Sequence, residues 1–159
     1  MKDVKLDRID RKILSHLMRD ATVSIAKLAS LVGLSQTPCW RRVQKLEDAG
    51  FIIGRVALVD PSKIGLGLTA FVEIEAPEHT TDWRAALQEA TLQFPPIVEV
   101  HRMAGEADYI LKVIVPDMDA FDRFCTAFSK ALPCRTINSR FSLETVRTST
   151  AWPIDLEGR

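Results

Sequence analysis

The apolar positions of this chain first recur at helical spacing and then, past residue 50, switch to strand patterns broken by two more helical ones. From about Asp7 to Arg19 the residues Ile9, Ile13, Leu14 and Leu17 make one stripe, with Asp7 or Asp10 placing a carboxylate at the positive end of the helix dipole. Ser24 stands where an N-cap is wanted, and Ile25, Leu28, Ala29 and Leu31 give a second apolar set that Gly33 ends in a turn. A third helix opens at Ser35, whose hydroxyl is expected to accept from the free N–H groups of the first turn. Pro38 lies early enough that its missing N–H costs little. Cys39, Val43 and Leu46 fall at i, i+4 and i+7 as the buried stripe, and Gly50 follows as a C′ glycine. Three helices, the last two joined by a short glycine turn, make a helix-turn-helix.

After Gly50 the β-branched and apolar run from Phe51 to Pro61 predicts one or two short strands, a wing or linker strand beside the helices, with Arg55 in reach of backbone phosphate. Pro61 to Gly67, with two glycines, marks a domain boundary near residue 61. Beyond it come a strand from Leu68 to Ala76 and a helix from His79 to Phe94 carrying Trp83, Ala86, Leu87, Ala90 and Leu92. Strands from Ile97 to Met103 and from Tyr109 to Val115 follow, then a helix opened by Pro116-Asp117 with Phe121, Phe124 and Phe128 at helical spacing. A long final strand from Arg135 to Arg147 puts Ile137, Ser139, Phe141, Leu143 and Thr145 on one face. The order βαββαβ predicts a ferredoxin-like sandwich, a four-stranded antiparallel sheet under two helices. The fold class is therefore α+β, with a winged-helix-like helix-turn-helix domain and its linker strand over residues 1–61 and a ferredoxin-like domain over residues 62–159. The tail from Ala151 onward is expected to pack on a neighbour or fray.

Composition narrows the class without naming the function. With 47% hydrophobic and 26% charged residues in 159, the chain can bury a core as one domain or two small ones. It has no apolar run of transmembrane length, and its charged N-terminus, Met1 to Asp7, leads into no apolar segment, so neither a membrane span nor a secretory leader is expected. Cys39, Cys125 and Cys134 form no Cys-x-x-Cys pair, which points away from disulfides and zinc and toward the reducing cytoplasm. The formal net charge of zero hides a split: residues 1–60 hold 11 Lys and Arg against 7 Asp and Glu, the remainder 10 against 14. A mildly basic first part on an acidic remainder suits a nucleic-acid module joined to something else.

Candidate chemistry concentrates on the outer face of the third helix. Ser35, Gln36, Thr37, Trp40, Arg41, Arg42, Gln44 and Lys45 supply the donors and acceptors that major-groove base edges and phosphates require. Trp40 either contacts DNA or props the helix on its neighbours, and Arg42 either reaches DNA or pairs with an acidic residue inside the domain. His16, His79 and His101 show no metal-ligand spacing, the three phenylalanines read as core, and no metal or cofactor is called for.

Two stretches resemble the Lrp/AsnC family of transcription regulators, the leucine- and asparagine-responsive or feast/famine regulators, and the resemblance covers nearly the whole chain. The first is Leu6 to Leu14, Leu34-Ser35 and Arg41 to Ile52; the second is Gly105-Glu106-Ala107-Asp108-Tyr109-Ile110-Leu111-Lys112-Val113. The resemblance implies double-stranded DNA as partner and a homodimer built through the ferredoxin-like domains, assembling to tetramers or octamers. It also implies a small amino-acid-like effector near the Gly-x-x-Asp turn. Carried over, Gly105 and Asp108 would help hold that effector, with Met103, Ala104, Glu106, Ala107 and a facing final strand shaping the site. Free amides at a glycine turn suit an α-carboxylate, and a carboxylate such as Asp108 suits an α-ammonium. The alternative for Asp108 is a turn aspartate capping local N–H groups. Arg140 and Phe141 are bulkier than the small polar residues expected there, and either fill or charge the site.

The resulting expectation is a cytoplasmic regulator of amino-acid metabolism, not an enzyme, whose assembly or DNA affinity responds to its effector. The rival readings are a tetrapyrrole-processing decarboxylase on the same scaffold, using His101, Arg102 and Tyr109, and an assembly or storage protein without DNA binding. The cationic third helix disfavours both.

Overall fold

A computed structural model describes residues 5–157. Residues 1–4 of the charged N-terminus, on which the expectation of no leader rests in part, lie outside the described residues. In chain order the elements are α1 (Arg8–Leu17), α2 (Ile25–Val32), α3 (Gln36–Asp48), a 3-10 turn at Pro61–Ile64, β1 (Leu68–Glu75), α4 (Thr81–Gln93), β2 (Ile97–Arg102), β3 (Tyr109–Val115), α5 (Met118–Ala131) and β4 (Thr136–Phe141). The described residues gather into two compact units, one of residues 5–58 with 146–157 and one of residues 59–145. The C-terminal tail from Val146 onward gathers with the first unit.

In the first unit α1 is capped at Asp7, whose carboxylate accepts from the N–H groups of Ile9 and Asp10 while the Asp10 carboxylate accepts from the N–H of Asp7. This reciprocal cap satisfies donors that a helix N-terminus otherwise leaves unpaired. Ser24 caps α2 through the N–H of Lys27, and Gly33 closes it at φ 74°, the left-handed conformation that glycine adopts without Cβ strain. Ile13, Leu14, Leu28, Ala29, Val32, Cys39, Val43 and Leu46 form the core. Val32, not the expected Leu31, is the buried residue at the end of α2, because Leu31 points outward and stays 44% exposed. The tail completes this unit. Ile154 packs against the core cluster, Thr150 donates to the Met18 carbonyl at 2.7 Å, and the Asp155 carbonyl accepts from Arg11 at 3.0 Å.

The expected strands between Phe51 and Pro61 do not form. A β-branched run becomes a strand only beside a partner edge, and here Ile53, Val56 and Leu58 stand exposed with no strand of this chain paired to them.

The second unit has the predicted βαββαβ order, folded into one antiparallel sheet of order β2-β3-β1-β4. Ala70, Val72 and Ile74 of β1 and Tyr109, Leu111, Val113 and Val115 of β3 face α4 and α5, where Trp83, Leu87, Phe121, Phe124 and Phe128 close the core. Phe94, between α4 and β2, meets Phe124 and Phe128 edge-on at 5.8 and 5.6 Å. On α4 the expected apolar Ala86 and Leu92 turn out to be exposed. The last strand is shorter than its sequence pattern. Phe141 pairs with Ala70 and the N–H of Ser142 still reaches the Thr69 carbonyl; carried on, the register would set Leu143 against Leu68, the first residue of β1, and Thr145 beyond the end of β1, and β4 stops before either.

Candidate nucleic-acid interface and ligand cleft

Helix α3 is held by its apolar stripe, and what it leaves outside defines the first candidate site. Ser35, Gln36, Thr37, Trp40, Arg41 and Lys45 are exposed, Trp40 by 51%. Arg41 and Lys45 make no ion pair among the described residues. The expected Ser35 cap is absent: Ser35 occupies the N-cap position with extended backbone, yet its hydroxyl accepts no capping bond. The reason lies three residues on, where Pro38 at N3 has no N–H to donate. The hydroxyl is thereby left at the open N-terminus of α3.

Two of the predicted contact residues are engaged inside the domain. Of the two readings of Arg42, the structure shows the internal one, with its guanidinium donating to Asp7 and, at 2.7 Å, to Asp10. Asp10 is 2% exposed, so this contact compensates a buried carboxylate. Burial alone would raise the Asp7 carboxyl, but the N–H of Asp10 and the charge of Arg42 together hold it below the usual range. Gln44 is half-buried and donates to Glu47 at 2.7 Å, and Glu47 in turn pairs with Arg55 at 2.7 Å. That second contact also occupies the Arg55 expected near phosphate.

The second candidate site is a cleft of roughly 230 Å³ on the sheet face away from the helices. Met103, Ala104, Gly105, Glu106 and Ala107 form its rim. Its floor was only partly foreseen: Glu73 of β1, Ile110 of β3 and Arg140 of β4 come together because β1 sits between β3 and β4. The register pairs Glu73 with Ile110 and Phe71 with Arg140, so these side chains share the open face. Strict alternation about the buried residues of β1 is the signal that identifies Glu73. The amides of Ala104, Gly105, Glu106 and Ala107 donate to no acceptor among the described residues.

Asp108 does not line the cleft. Its carboxylate accepts from the Ala76 N–H at 2.8 Å and lies 3.6 Å from His79, while its backbone bonds Met103 and Ile74. It ties the turn to the end of β1. Phe141, expected to crowd the site, faces the opposite way and packs edge-on against Phe121 at 5.0 Å. His101 and Tyr109 do not converge either: His101 pairs with Ile110 on the open face, whereas Tyr109 is buried against Trp83 on the helix side. Among the described residues no group of His, Cys, Asp and Glu could hold a metal ion, and no helix is long and apolar enough to cross a membrane. Burial pushes the thiols of Cys39, Cys125 and Cys134 up, away from reactive thiolate.

Two family models match this chain, an AsnC-type helix-turn-helix domain over residues 6–47 and an Lrp/AsnC ligand binding domain over residues 69–152. It is 43% identical over 151 residues to the DNA-binding transcriptional activator DecR of Escherichia coli K12, covering 94% of this chain and 99% of that one. It is 40% identical over 150 residues to a glutamate uptake regulatory protein of Zymomonas mobilis, covering 94% and 92%. Among solved structures, an AsnC family transcriptional regulator from Agrobacterium tumefaciens superposes with a TM-score of 0.89 at 44% identity, covering 93% and 97%. A transcriptional regulator of Neisseria meningitidis, solved as a complex with L-Met, gives 0.87 at 32% identity, covering 94% and 97%.

Proposed function

The chain belongs to the Lrp/AsnC family of DNA-binding transcription regulators, and from that premise we propose that α3 reads the major groove while a small amino-acid-like effector, bound at the sheet cleft, sets DNA occupancy. The observation that carries the first half is the exposed and uncommitted face of α3. Arg41 and Lys45 make no ion pair among the described residues, Gln36 and Thr37 sit at the helix N-terminus, and Ser35 has a hydroxyl free of capping duty. Arg41 and Gln36 are assigned to base edges, Lys45, Ser35 and Thr37 to phosphate, and Trp40 to apolar contact along the groove. Arg42 and Gln44 are assigned the supporting role of fixing how α3 stands on its own domain.

For the second half, the cleft and the free amides of residues 104–107 support a ligand with a carboxylate, and the complex of the Neisseria relative with L-Met supports an amino acid. We assign residues 1–61 to DNA reading and residues 62–159, less the tail, to effector binding and assembly. The exposed apolar positions of the linker and the open sheet face, with Ile53, Val56, Leu58 and Phe71, support a homodimer assembling further to tetramers or octamers. A regulator of this kind works in the cytoplasm, beside DNA, and carries out no catalytic step. Ligand acts only through its different affinity for two assemblies or two DNA-binding states.

The test is binding to a labelled fragment of the protein's own upstream DNA. Arg41→Ala should weaken the complex at least about tenfold, the scale of one good base contact, with an unchanged melting temperature. Wild-type affinity in that variant removes α3 from the interface.

A further inference from the structure

Glu47, near the C-terminal end of α3, serves two donors at once. Its Oε2 accepts from the Gln44 amide at 2.7 Å and its Oε1 from Nη2 of Arg55 at 2.7 Å. Gln44 stands on the preceding turn of the same helix and fixes the carboxylate in place. Arg55 comes from a different kind of backbone. It follows Gly54 in a stretch that forms neither helix nor strand, and residues 53–59 make no backbone hydrogen bond among the described residues. The pair is open on both sides, Arg55 being 45% exposed and Glu47 31%. Arg55 uses one nitrogen on Glu47 and makes no other hydrogen bond among the described residues, so most of its donors are left over.

The position of Glu47 on the helix decides what lies beside this pair. Thr37 and Arg41 stand opposite the buried stripe of Cys39, Val43 and Leu46, whereas Glu47 lies about a quarter turn from that stripe, on the flank that also carries Trp40. A helix about 10–12 Å across fills a major groove about 12 Å wide, so its flanks meet the phosphate walls. Glu47 would there face phosphate with a like charge, and Arg55 is the group that phosphate attracts. Exchange demands little of either partner. An exposed ion pair adds little to stability, Glu47 keeps Gln44 and solvent when Arg55 leaves, and no ladder or helix holds the backbone of Arg55. Phosphate offers bidentate, charge-assisted bonds and the release of condensed counterions. We propose that Glu47 is an internal stand-in for a DNA phosphate: it holds Arg55 against α3 in the free protein and yields it to the DNA backbone in the complex. This rests on the reading that α3 lies in the major groove and adds a control to it. Arg55 belongs to the stretch that leads out of the first unit. Whatever holds that stretch away from Glu47 therefore favours DNA, and DNA favours it in return.

The test is a double-mutant cycle read by anisotropy at several salt concentrations, on the protein's own upstream fragment and on an unrelated duplex. Glu47→Gln removes the charge while its amide oxygen can still accept from Gln44. It should tighten both complexes about two- to fivefold, the scale of one exposed ion pair, with the salt slope unchanged. Arg55→Ala should weaken both complexes and reduce the slope by about 0.9 for each protomer engaged. Adding Glu47→Gln to Arg55→Ala should bring no comparable gain, because the competitor acts only through Arg55. Melting temperatures of both single variants should stay within about 2 °C of wild type. A gain from Glu47→Gln that persists without Arg55 would make Glu47 a plain repulsive charge and overturn the proposal. So would an Arg55→Ala variant that binds weakly at unchanged slope and regains wild-type affinity in the double variant, since Arg55 is then a permanent shield over Glu47. Arg55→Ala without any effect keeps Arg55 off the DNA. If Arg41→Ala still weakens the complex in that case, the α3 reading stands and only the exchange falls. If neither arginine matters, the α3 reading falls and this proposal with it.

Discussion

Arg42 and Arg41 are adjacent on one helix, yet the structure gives them different work. Arg42 lies between the carboxylates of Asp7 and the buried Asp10, while Arg41 is exposed and makes no ion pair among the described residues. Arg42→Ala should therefore destabilise the protein by about 1–3 kcal/mol, the cost of leaving a buried polar group without its partner, as read by urea unfolding. Arg41→Ala should leave unfolding unchanged. The loss should depend on pH in a definite direction. Asp7 has a folded pKa below its ordinary value, so on acidification the unfolded chain takes up that proton first. Its contribution is complete above about pH 4, the ordinary aspartate value, and disappears as pH falls through the lowered folded value. Removing Arg42 removes one cause of that lowering, so wild type and Arg42→Ala should converge in stability as pH falls through that lowered value. A gap that stays constant over that fall would mean that Asp7 is not held by Arg42.

At the scale of elements, the two serines that precede helices separate what sequence pattern conveys from what it hides. Ser24 makes its capping bond and Ser35 does not. Ser24→Ala should cost about 1 kcal/mol, whereas Ser35→Ala should change stability by no more than a few tenths and show its effect only in DNA affinity. Equal losses would restore the cap to Ser35. The helical stripes of α1 and α3 and the βαββαβ order were legible because one buried face imposes its period on the residues of a helix or strand. The missing linker strand, the early end of β4 and the outward Leu92 were not legible, because they depend on which edge or surface is available and local periodicity carries no such information. The rim of the cleft could be read from the turn at residues 103–107, but its floor could not, since Glu73, Ile110 and Arg140 meet only through strand order. The tail was similarly hidden: nothing around Ile154 announces that it packs on the helices of the first unit. Deleting residues 146–159 should lower the melting temperature of that unit and speed hydrogen exchange in α1, with the amides of β1 and β3 unchanged. Exchange that accelerates equally in both units would show that the tail acts on the whole fold instead.

For the whole molecule, the formal net charge of zero means that attraction to DNA must be local, supplied by a few cations of the first unit against an otherwise acidic chain. On α3, Arg41 and Lys45 make no ion pair among the described residues. Binding should therefore weaken with salt along a straight line of log affinity against log salt, at a slope of about −0.9 per phosphate neutralised. Lys45, assigned to phosphate, should reduce that slope when replaced by Ala and weaken specific and non-specific DNA alike. The size of the reduction counts protomers on the DNA. One bound helix-turn-helix unit loses about 0.9, and a dimer with both units engaged loses about 1.8. Anisotropy titrations of wild type and Lys45→Ala between 50 and 200 mM salt, roughly the range over which such slopes are resolved, separate the two values. A reduction near the larger value supports a dimer reading two half-sites. The smaller value would mean that only one protomer's α3 engages DNA, and no change would mean that Lys45 touches no phosphate at all.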